Sequence, residues 1–465
     1  MTDARELQAQ FDAQRRAFAA EPYPTLATRR DRLARLATLT RHHREEIIAA
    51  IGEDFGHRAE AESRLAEIAT VLQAVRHARR HLRRWMRSRR AAVPWRLQPG
   101  RARVHRQPLG VVGIIAPSNY PWNLAWLPAV DALAAGNRVL IKPSEHTPAT
   151  SALMARLAER YFDPAELAVI PGDVETARAF SALPFDHLLF TGNARIGREV
   201  ARAAAAHLTP ITLELGGKTP AIIGPDADLS RAAERIAFGK WLNAGQTCIA
   251  PDHVLVEASR LGDFIEAMRR TVADFYPRGT AGEDYTAVPG ERQRARLEAM
   301  LDEARDHGCR VIALGERVEL PGGGAKLPPT LVIDPNEGLA IMQEEIFGPW
   351  LPILGVRDLD AAIDHVNAGP RPLALYAFTD DAQRRRQILE TTHSGGVVFN
   401  DTLWHNAVPA LPFGGVGESG MGAYQGEAGF LRFSLERSVF LQARRNAVGL
   451  LNPPYRRWLL RLLGL

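Results

Sequence analysis

Gly110-Val-Val-Gly-Ile-Ile-Ala116, then a stretch with helical spacing over residues 126–135, then Arg138-Val-Leu-Ile141 closed by Lys142-Pro143, is the passage that decides the fold. Its two outer runs are short, rich in Val and Ile and bounded by turn residues, the pattern of strands buried on both faces. The passage predicts strand, helix, strand. The rhythm continues with a helix over 149–161, a strand over 167–170, a helix over 175–183 and a strand over 187–190. Strands alternating with helices of about ten residues indicate an α/β fold with a parallel, doubly wound sheet.

Upstream, residues 1–90 repeat apolar side chains at three and four and are dominated by Arg, Glu and Ala, which predicts helix until Pro94, Pro99 and Gly100 break the pattern. Downstream, the alternation resumes after Leu213, with helices over 228–243, 261–275 and 293–307, strands over 254–256 and 310–313, and Pro321-Gly-Gly-Gly324 as an open loop. A chain of 465 residues is too long for one small core, and this second block is assigned a domain of its own.

The composition, 46% hydrophobic and 24% charged, is that of a soluble globular protein. Cys248 and Cys309 are too few for a disulfide framework, so a reducing, cytoplasmic compartment is expected. Met1-Thr-Asp-Ala-Arg5 is charged and lacks an apolar core of signal-peptide type. No stretch approaches the roughly 20 apolar residues of a spanning helix. The formal net charge of +5 is modest, but eight arginines fall within residues 76–90, among His77, His81, Leu82, Trp85 and Met86. Such a run can bind nucleic acid or acidic lipid. No recognised nucleic-acid motif accompanies it, so it reads as a helix with a solvated basic face and Leu82, Trp85 and Met86 inward; no nucleic-acid partner is expected.

Three residues invite a chemical reading. Cys248 lies in Asn243-Ala-Gly-Gln-Thr-Cys-Ile249, after flexible Gly245, where a loop can present a thiol to a cleft. The bland alternative is a small buried hydrophobe, the reading given to Cys309. Glu214, in Ile211-Thr-Leu-Glu-Leu-Gly-Gly-Lys218, is costly to bury in an apolar strand unless it has a task. Burial would raise its pKa toward that of a general base; the alternative is a salt bridge, for example with Lys218. Asn119 follows the first strand, where ligands sit in open parallel sheets, and its amide could donate to an oxyanion; it could equally be a turn residue before Pro121. Gly415-Val-Gly-Glu-Ser-Gly420 satisfies a dinucleotide pattern, but Pro412-Phe413 stands where a strand is required, so it is read as a glycine-rich loop near the active site.

Taken in order, Pro117-Ser-Asn-Tyr-Pro121, Lys142-Pro-Ser-Glu145, Phe190-Thr-Gly-Asn-Ala-Arg-Ile-Gly197, Leu213-Glu-Leu-Gly-Gly-Lys218, Gly245-Gln-Thr-Cys248, Glu344-Glu-Ile-Phe-Gly-Pro349 and Pro412-Phe-Gly-Gly415 resemble the aldehyde dehydrogenases over essentially the whole chain. The short N-terminal region and the ending 412–424 are most similar to the class-3 branch. Within that branch, residues 77–90, Asp186-His-Leu-Leu-Phe-Thr-Gly192 and Thr392-His-Ser-Gly-Gly396 resemble coniferyl aldehyde dehydrogenases.

The resemblance implies Cys248 as nucleophile, Asn119 and the Cys248 backbone N–H as oxyanion hole, and Glu214 as the base that activates water against a thioester. It implies NAD, with NADP possible, on Lys142, Glu145, Gly192, Asn193, Gly197, Glu345 and Phe347, and no metal. It implies an apolar channel for an aromatic, phenylpropanoid or medium-chain aldehyde, lined by Tyr120, Asn123, Phe238, Leu242, Thr247 and Phe413. Phe238 and Leu242, four apart on the expected 228–243 helix, would share a face, though plain core packing also explains them. The implied architecture is a Rossmann-like cofactor domain (1–100 and 110–213), an α/β catalytic domain (214–395), a small β oligomerisation element (101–109 and 396–445) of a homodimer, and a C-terminal amphipathic tail (446–465). The tail is expected to pack over the dimer or the substrate mouth rather than to make peripheral membrane contact. Ser118 departs from the tryptophan usual in relatives, and residues 406–410 lack the polar and acidic side chains expected of the coniferyl branch; both bear on the substrate, not on the reaction. A cofactor-independent thiol hydrolase or acyltransferase using Cys248, with His253 as base, is the competing enzyme, and a catalytically idle binding protein is the non-enzymatic alternative.

Overall fold

In a computed structural model, which describes residues 4–321, 324–454 and 457–462, the chain folds around two parallel-stranded sheets. The deciding passage forms the strand Val111–Ile115, the helix Asn123–Ala135 and the strand Arg138–Lys142. All thirteen residues of that helix are buried, as its apolar composition on every face requires. It ends at Gly136, whose φ of 98° suits glycine and whose missing side chain leaves room for the Arg29 guanidinium. Arg29, from the N-terminal helix Leu26–His42, donates to the carbonyls of Ala134 and Ala135 and so binds the negative end of the helix.

The first sheet orders its parallel strands as Ile211–Glu214, His187–Thr191, Val111–Ile115, Arg138–Lys142 and Leu167–Val169. The N-terminal helices pack against the helices of this sheet. The helical pattern read over residues 1–90 ends sooner, at Trp85, because Arg89–Ala91 pairs as a strand with Arg101–Pro108. Leu82 and Trp85 are buried, Met86 packs partly buried against the core, and most of the arginines around them are exposed.

The second sheet has seven strands, in the order Arg310–Ala313, Thr330–Ile333, Trp350–Val356, His253–Glu257, Pro220–Ile223, Ala374–Phe378 and Gly396–Phe399, parallel except at the 310–313 edge. Residues 396–399 are thus its far edge, so the boundary expected at 395 falls inside the sheet. Gly420–Met421 pairs with Leu213–Glu214 in the first sheet. From the expected 396–445 element, only Ser434–Leu441 joins Arg101–Pro108 in the separate three-stranded antiparallel sheet. Backbone pairing overrode the division suggested by position in the chain. Part of the expected tail forms the short helix Arg457–Leu462; residues 455–456, 463–465 and the Gly322-Gly323 part of the open loop lie outside the described residues. Among the described residues, no helix is long and apolar enough to cross a membrane.

Candidate active site

In the first sheet the chain moves outward to one side from Val111–Ile115 and to the other from His187–Thr191, so ligands are favoured beyond the carboxyl ends of these neighbours. Residues 116–122 follow the first strand and Gly192 follows the second. The helix Ala194–Ala205 starts there, with Asn193 as its N-cap: the Asn193 Oδ1 accepts the Ile196 N–H at 3.0 Å. That oxygen serves the helix, so the site expected at Asn193 is left with its Nδ2 and backbone. A Cβ on Gly192 would stand 2.5 Å from the Phe190 ring, and one on Gly197 2.8 Å from Leu215. Only glycine permits this close packing of helix on strand beside open N–H groups.

Lys142 ends its strand with 1% of its side chain exposed, donates to the Pro143 carbonyl at 2.7 Å and faces Glu145 at 3.8 Å. Burial lowers its pKa. A glycine turn at a helix N-terminus, a buried cation and a carboxylate at the rim fit a dinucleotide. Glu345 lies against the turn that follows the neighbouring strand Ile211–Glu214. Its carboxyl is pushed up to about 8 by burial, then by Asp252, and accepts the Gly217 N–H. A side chain at Gly216 would collide with it. Phe347 has a left-handed φ of 49°, a strained backbone for a bulky residue, and its carbonyl accepts from Gln293.

The helix leading to the thiol, Leu229–Trp241, is capped by Asp228 and stops at Trp241. Asn243, Ala244 and Gly245 then take left-handed φ values of 55°, 52° and 79°. A Cβ on Gly245 would lie 2.1 Å from the Gly348 carbonyl oxygen, so the turn requires glycine. Leu242 caps this helix with its N–H still bonded to the Phe238 carbonyl, so the two side chains remain one helical turn apart as their spacing suggests; both are partly buried and pack against the core. Cys248 follows in a turn closed by the Ala250 N–H on the Thr247 carbonyl at 2.9 Å, ahead of the strand His253–Glu257. The backbone N–H groups of Cys248 and Ile249 bond toward its sulfur, but burial and the charges of Glu345 and Glu214 outweigh them and push the thiol pKa up.

Asn119 is buried, its Nδ2 donating to the Gln246 carbonyl at 3.0 Å, two residues before the thiol. Tyr120 and Thr247 join hydroxyl to hydroxyl at 2.7 Å. Glu214 is 2% exposed and neither carboxylate oxygen has a hydrogen-bond partner among the described residues. Burial raises its pKa well above the usual carboxylate range. The salt-bridge alternative fails because Lys218 pairs instead with Asp252. Ser419 and Gly420, from the loop with the misleading dinucleotide pattern, pair by backbone along Leu215 and Glu214. Its three parts thus meet at the carboxyl edge of one sheet and the amino edge of the other.

Beyond them, Asn123, Leu127 and Asp131, four residues apart, form one face of the helix Asn123–Ala135. Leu127 and Asp131 line a cleft shared with Thr70, Gln73 and His77 of the helix Thr70–Trp85 and closed by Asn406 and Gln425. The Asn123 Nδ2 donates to the Ala66 carbonyl at 2.8 Å, while its Oδ1 and the Gln425 Oε1 have no partner among the described residues. Phe238 stacks on Trp404 at 6.0 Å, and Phe413 lies 5.8 Å from His405. The sequence did not single out His405, Trp404 or Tyr376, whose hydroxyl donates to the Ile249 carbonyl at 2.5 Å. Nor did it single out Arg58, Glu62 and Glu67, buried beneath Asn119 and Asn243. Polar residues in an otherwise helical run were their only signal.

The aldehyde dehydrogenase family model matches residues 1–439. A probable coniferyl aldehyde dehydrogenase of Pseudomonas aeruginosa is 47% identical over 453 residues, covering 97% of this chain and 94% of that protein. A coniferyl aldehyde dehydrogenase of Pseudomonas sp. is 43% identical, with 95% and 92% covered. Among solved structures, the substrate-bound state of Staphylococcus aureus AldH superposes with a TM-score of 0.93 at 36% identity, covering 98% of this chain and 99% of its own. Two parallel sheets, a cradle that fits a dinucleotide and a thiol placed between a buried amide and a buried carboxyl agree with these likenesses: the chain belongs to the aldehyde dehydrogenase family.

Proposed function

We propose that this enzyme oxidises an aromatic, phenylpropanoid or medium-chain aldehyde to its carboxylic acid, with NAD preferred and NADP accepted. The observation that carries the reading is Glu214, a buried carboxyl without a hydrogen-bond partner among the described residues, whose charge acts on the Cys248 thiol. Cys248 gives up its proton to water and attacks the carbonyl carbon as thiolate; the carbonyl oxygen takes up the displaced electron pair, held by the Asn119 amide and the Cys248 N–H. Bound NAD(P) supplies the hydride acceptor. Cys248 is left as a thioester; Glu214 takes a proton from water, which attacks the acyl carbon and releases the acid and the thiol. Lys142, Glu145, Gly192, Gly197, Glu345 and Phe347 are assigned to the cofactor, with Asn193 capping the helix beside it. Tyr120, Asn123, Phe238, Leu242, Thr247 and Phe413 are assigned to the aldehyde, whose far end reaches the cleft at Leu127 and Gln425.

A panel of aldehydes with each cofactor, read by nicotinamide absorbance, tests this reading. Absence of reduced cofactor with every aromatic and medium-chain aldehyde would overturn it, and cofactor-independent thioester hydrolysis would favour the thiol hydrolase. His253 is poorly suited to the latter role, being buried edge-on against His365 at 5.2 Å, with no partner for either ring nitrogen among the described residues.

Asn119→Ala removes a donor that water cannot replace in a buried site. Its kcat is expected to fall about 10²- to 10³-fold with little change in the Kd for NAD; a wild-type kcat contradicts the assignment. Glu145 at the rim repels a 2′-phosphate and accepts from a 2′-hydroxyl. Wild type should show the higher kcat/KM with NAD, and Glu145→Ala should narrow the ratio about tenfold, the worth of about 1.4 kcal/mol. An unchanged ratio would remove Glu145 from this role.

The homodimer is assigned to the three-stranded sheet. Its edge strand Ser434–Leu441 pairs on one side only among the described residues and exposes Leu435, Phe440 and Leu441, a template for pairing with a second copy. Sedimentation equilibrium should give twice the chain mass, and a monomer at micromolar concentration would reject it. Cytoplasmic residence is assigned on the two free cysteines.

A further inference from the structure

Beneath the loops that hold Asn119 and Cys248 lies a buried charge cluster that the reaction itself does not use. The Arg58 and Glu67 side chains have no exposed surface and pair at 2.9 Å. The same Arg58 Nη1 donates to the Asn119 carbonyl at 2.9 Å, and the guanidinium lies between the rings of Phe55 and Tyr120 at 4.8 and 4.7 Å. The other Glu67 oxygen accepts the Asn123 N–H at 2.7 Å. Glu62 accepts the Asn243 N–H at 3.1 Å and the Thr286 hydroxyl at 2.6 Å. Asn243 in turn donates to the carbonyls of Asn119 and Gln246 at 3.0 and 3.1 Å.

Glu62 and Glu67 are five residues apart, which in an α-helix would put them about 140° apart around the axis. Here the segment Ser63–Ala69 is a π-helix, whose i→i+5 bonding brings residues five apart close to one face. That register lets one helical segment reach both loops. Buried ion pairs are weak sources of stability, since desolvation cancels most of the attraction, so stability alone does not account for the cluster.

We infer that Arg58, Glu62 and Glu67 are positioning residues for the oxyanion hole, using the π-helical segment to hold the Asn119 loop and the Asn243–Cys248 loop at one spacing. Arg58 and Glu67 fix residues 119–123 from one side. Glu62 fixes the left-handed turn that precedes the thiol from the other. The inference rests on the oxyanion roles proposed for Asn119 and the Cys248 N–H.

The test replaces the pair by apolar residues of similar size, Arg58→Met with Glu67→Leu, in the full-length enzyme. Such a swap commonly leaves stability near or above wild type. The expected result is a wild-type Tm and Kd for NAD with a kcat, and a pre-steady-state acylation rate, lowered about 10²-fold, as for misplaced catalytic groups. A wild-type acylation rate at unchanged Tm, or a lost Tm with full activity in the folded fraction, overturns the inference. Should the double variant fail to fold, Glu62→Gln, which keeps an acceptor for Asn243, must retain more kcat than Glu62→Met at equal KM for NAD; equal losses overturn it as well. Wild-type enzyme without NAD(P)-linked aldehyde oxidation would instead defeat the proposed function, and Asn119→Ala with full activity the oxyanion assignment.

Discussion

Cys248→Ala is expected to bind NAD as wild type does and to lose aldehyde oxidation by about 10⁴- to 10⁶-fold, the cost of removing a nucleophile that acts as one unit with its base. Cys309 offers no substitute: it enters the edge strand Arg310–Ala313 and packs partly buried against the core. In wild type burial, then the charges of Glu345 and Glu214, push the thiol pKa up. Rising pH therefore favours the reactive thiolate, and the acylation rate and iodoacetamide labelling of Cys248 should both climb with pH. Labelling read by mass spectrometry of the Cys248 peptide separates this site from Cys309. Turnover by Cys248→Ala, or an acyl group found on another residue, would sink the covalent mechanism.

Glu214→Gln should make the thioester accumulate. A neutral amide cannot take a proton from water, so deacylation slows by about 10²- to 10⁴-fold while NAD binding and much of the hydride step survive. Rapid mixing should show about one NADH per active site followed by a slow steady state, with the acyl mass on the Cys248 peptide. The same variant has a stability signature. The folded-state pKa of Glu214 lies above its unfolded value, so the folded state holds a proton that the unfolded chain releases above the ordinary carboxylate range. Wild-type stability therefore falls as pH rises through that window, while glutamine lacks this term. The Tm advantage of Glu214→Gln should grow from pH 5 to pH 8. A variant that deacylates like wild type, or gains no Tm at pH 8, contradicts the placement of this carboxyl.

Much of this was legible in the residues. Each strand and helix read in the first sheet forms within a few residues of its expected limits, because short Val- and Ile-rich runs can be buried only between helices. The thiol on a glycine-led loop and the carboxylate in an apolar strand were both visible as costly placements. The strands at 330–333, 350–356, 374–378 and 396–399 were not resolved, although the two central ones of these pairs are mostly apolar runs of the same kind. The helix expected over 228–243 stops at Trp241, because a left-handed turn over residues 243–245, set by the Gly348 carbonyl against Gly245, follows it.

The sequence by itself determined the alternation of strand and helix and the apolar sheets, and marked Cys248, Glu214 and Asn119 as candidates, since these follow from local periodicity and from the cost of burying polar groups. Only the tertiary structure decided which partner each polar group found. It sent Lys218 to Asp252 and left Glu214 alone. It drew Gly420 onto the first sheet and 396–399 onto the second. It also wound residues 63–69 as a π-helix, so that Glu62 and Glu67 reach two loops far apart in sequence. Pairings of this kind depend on contacts separated by tens to hundreds of residues, which no local spacing encodes.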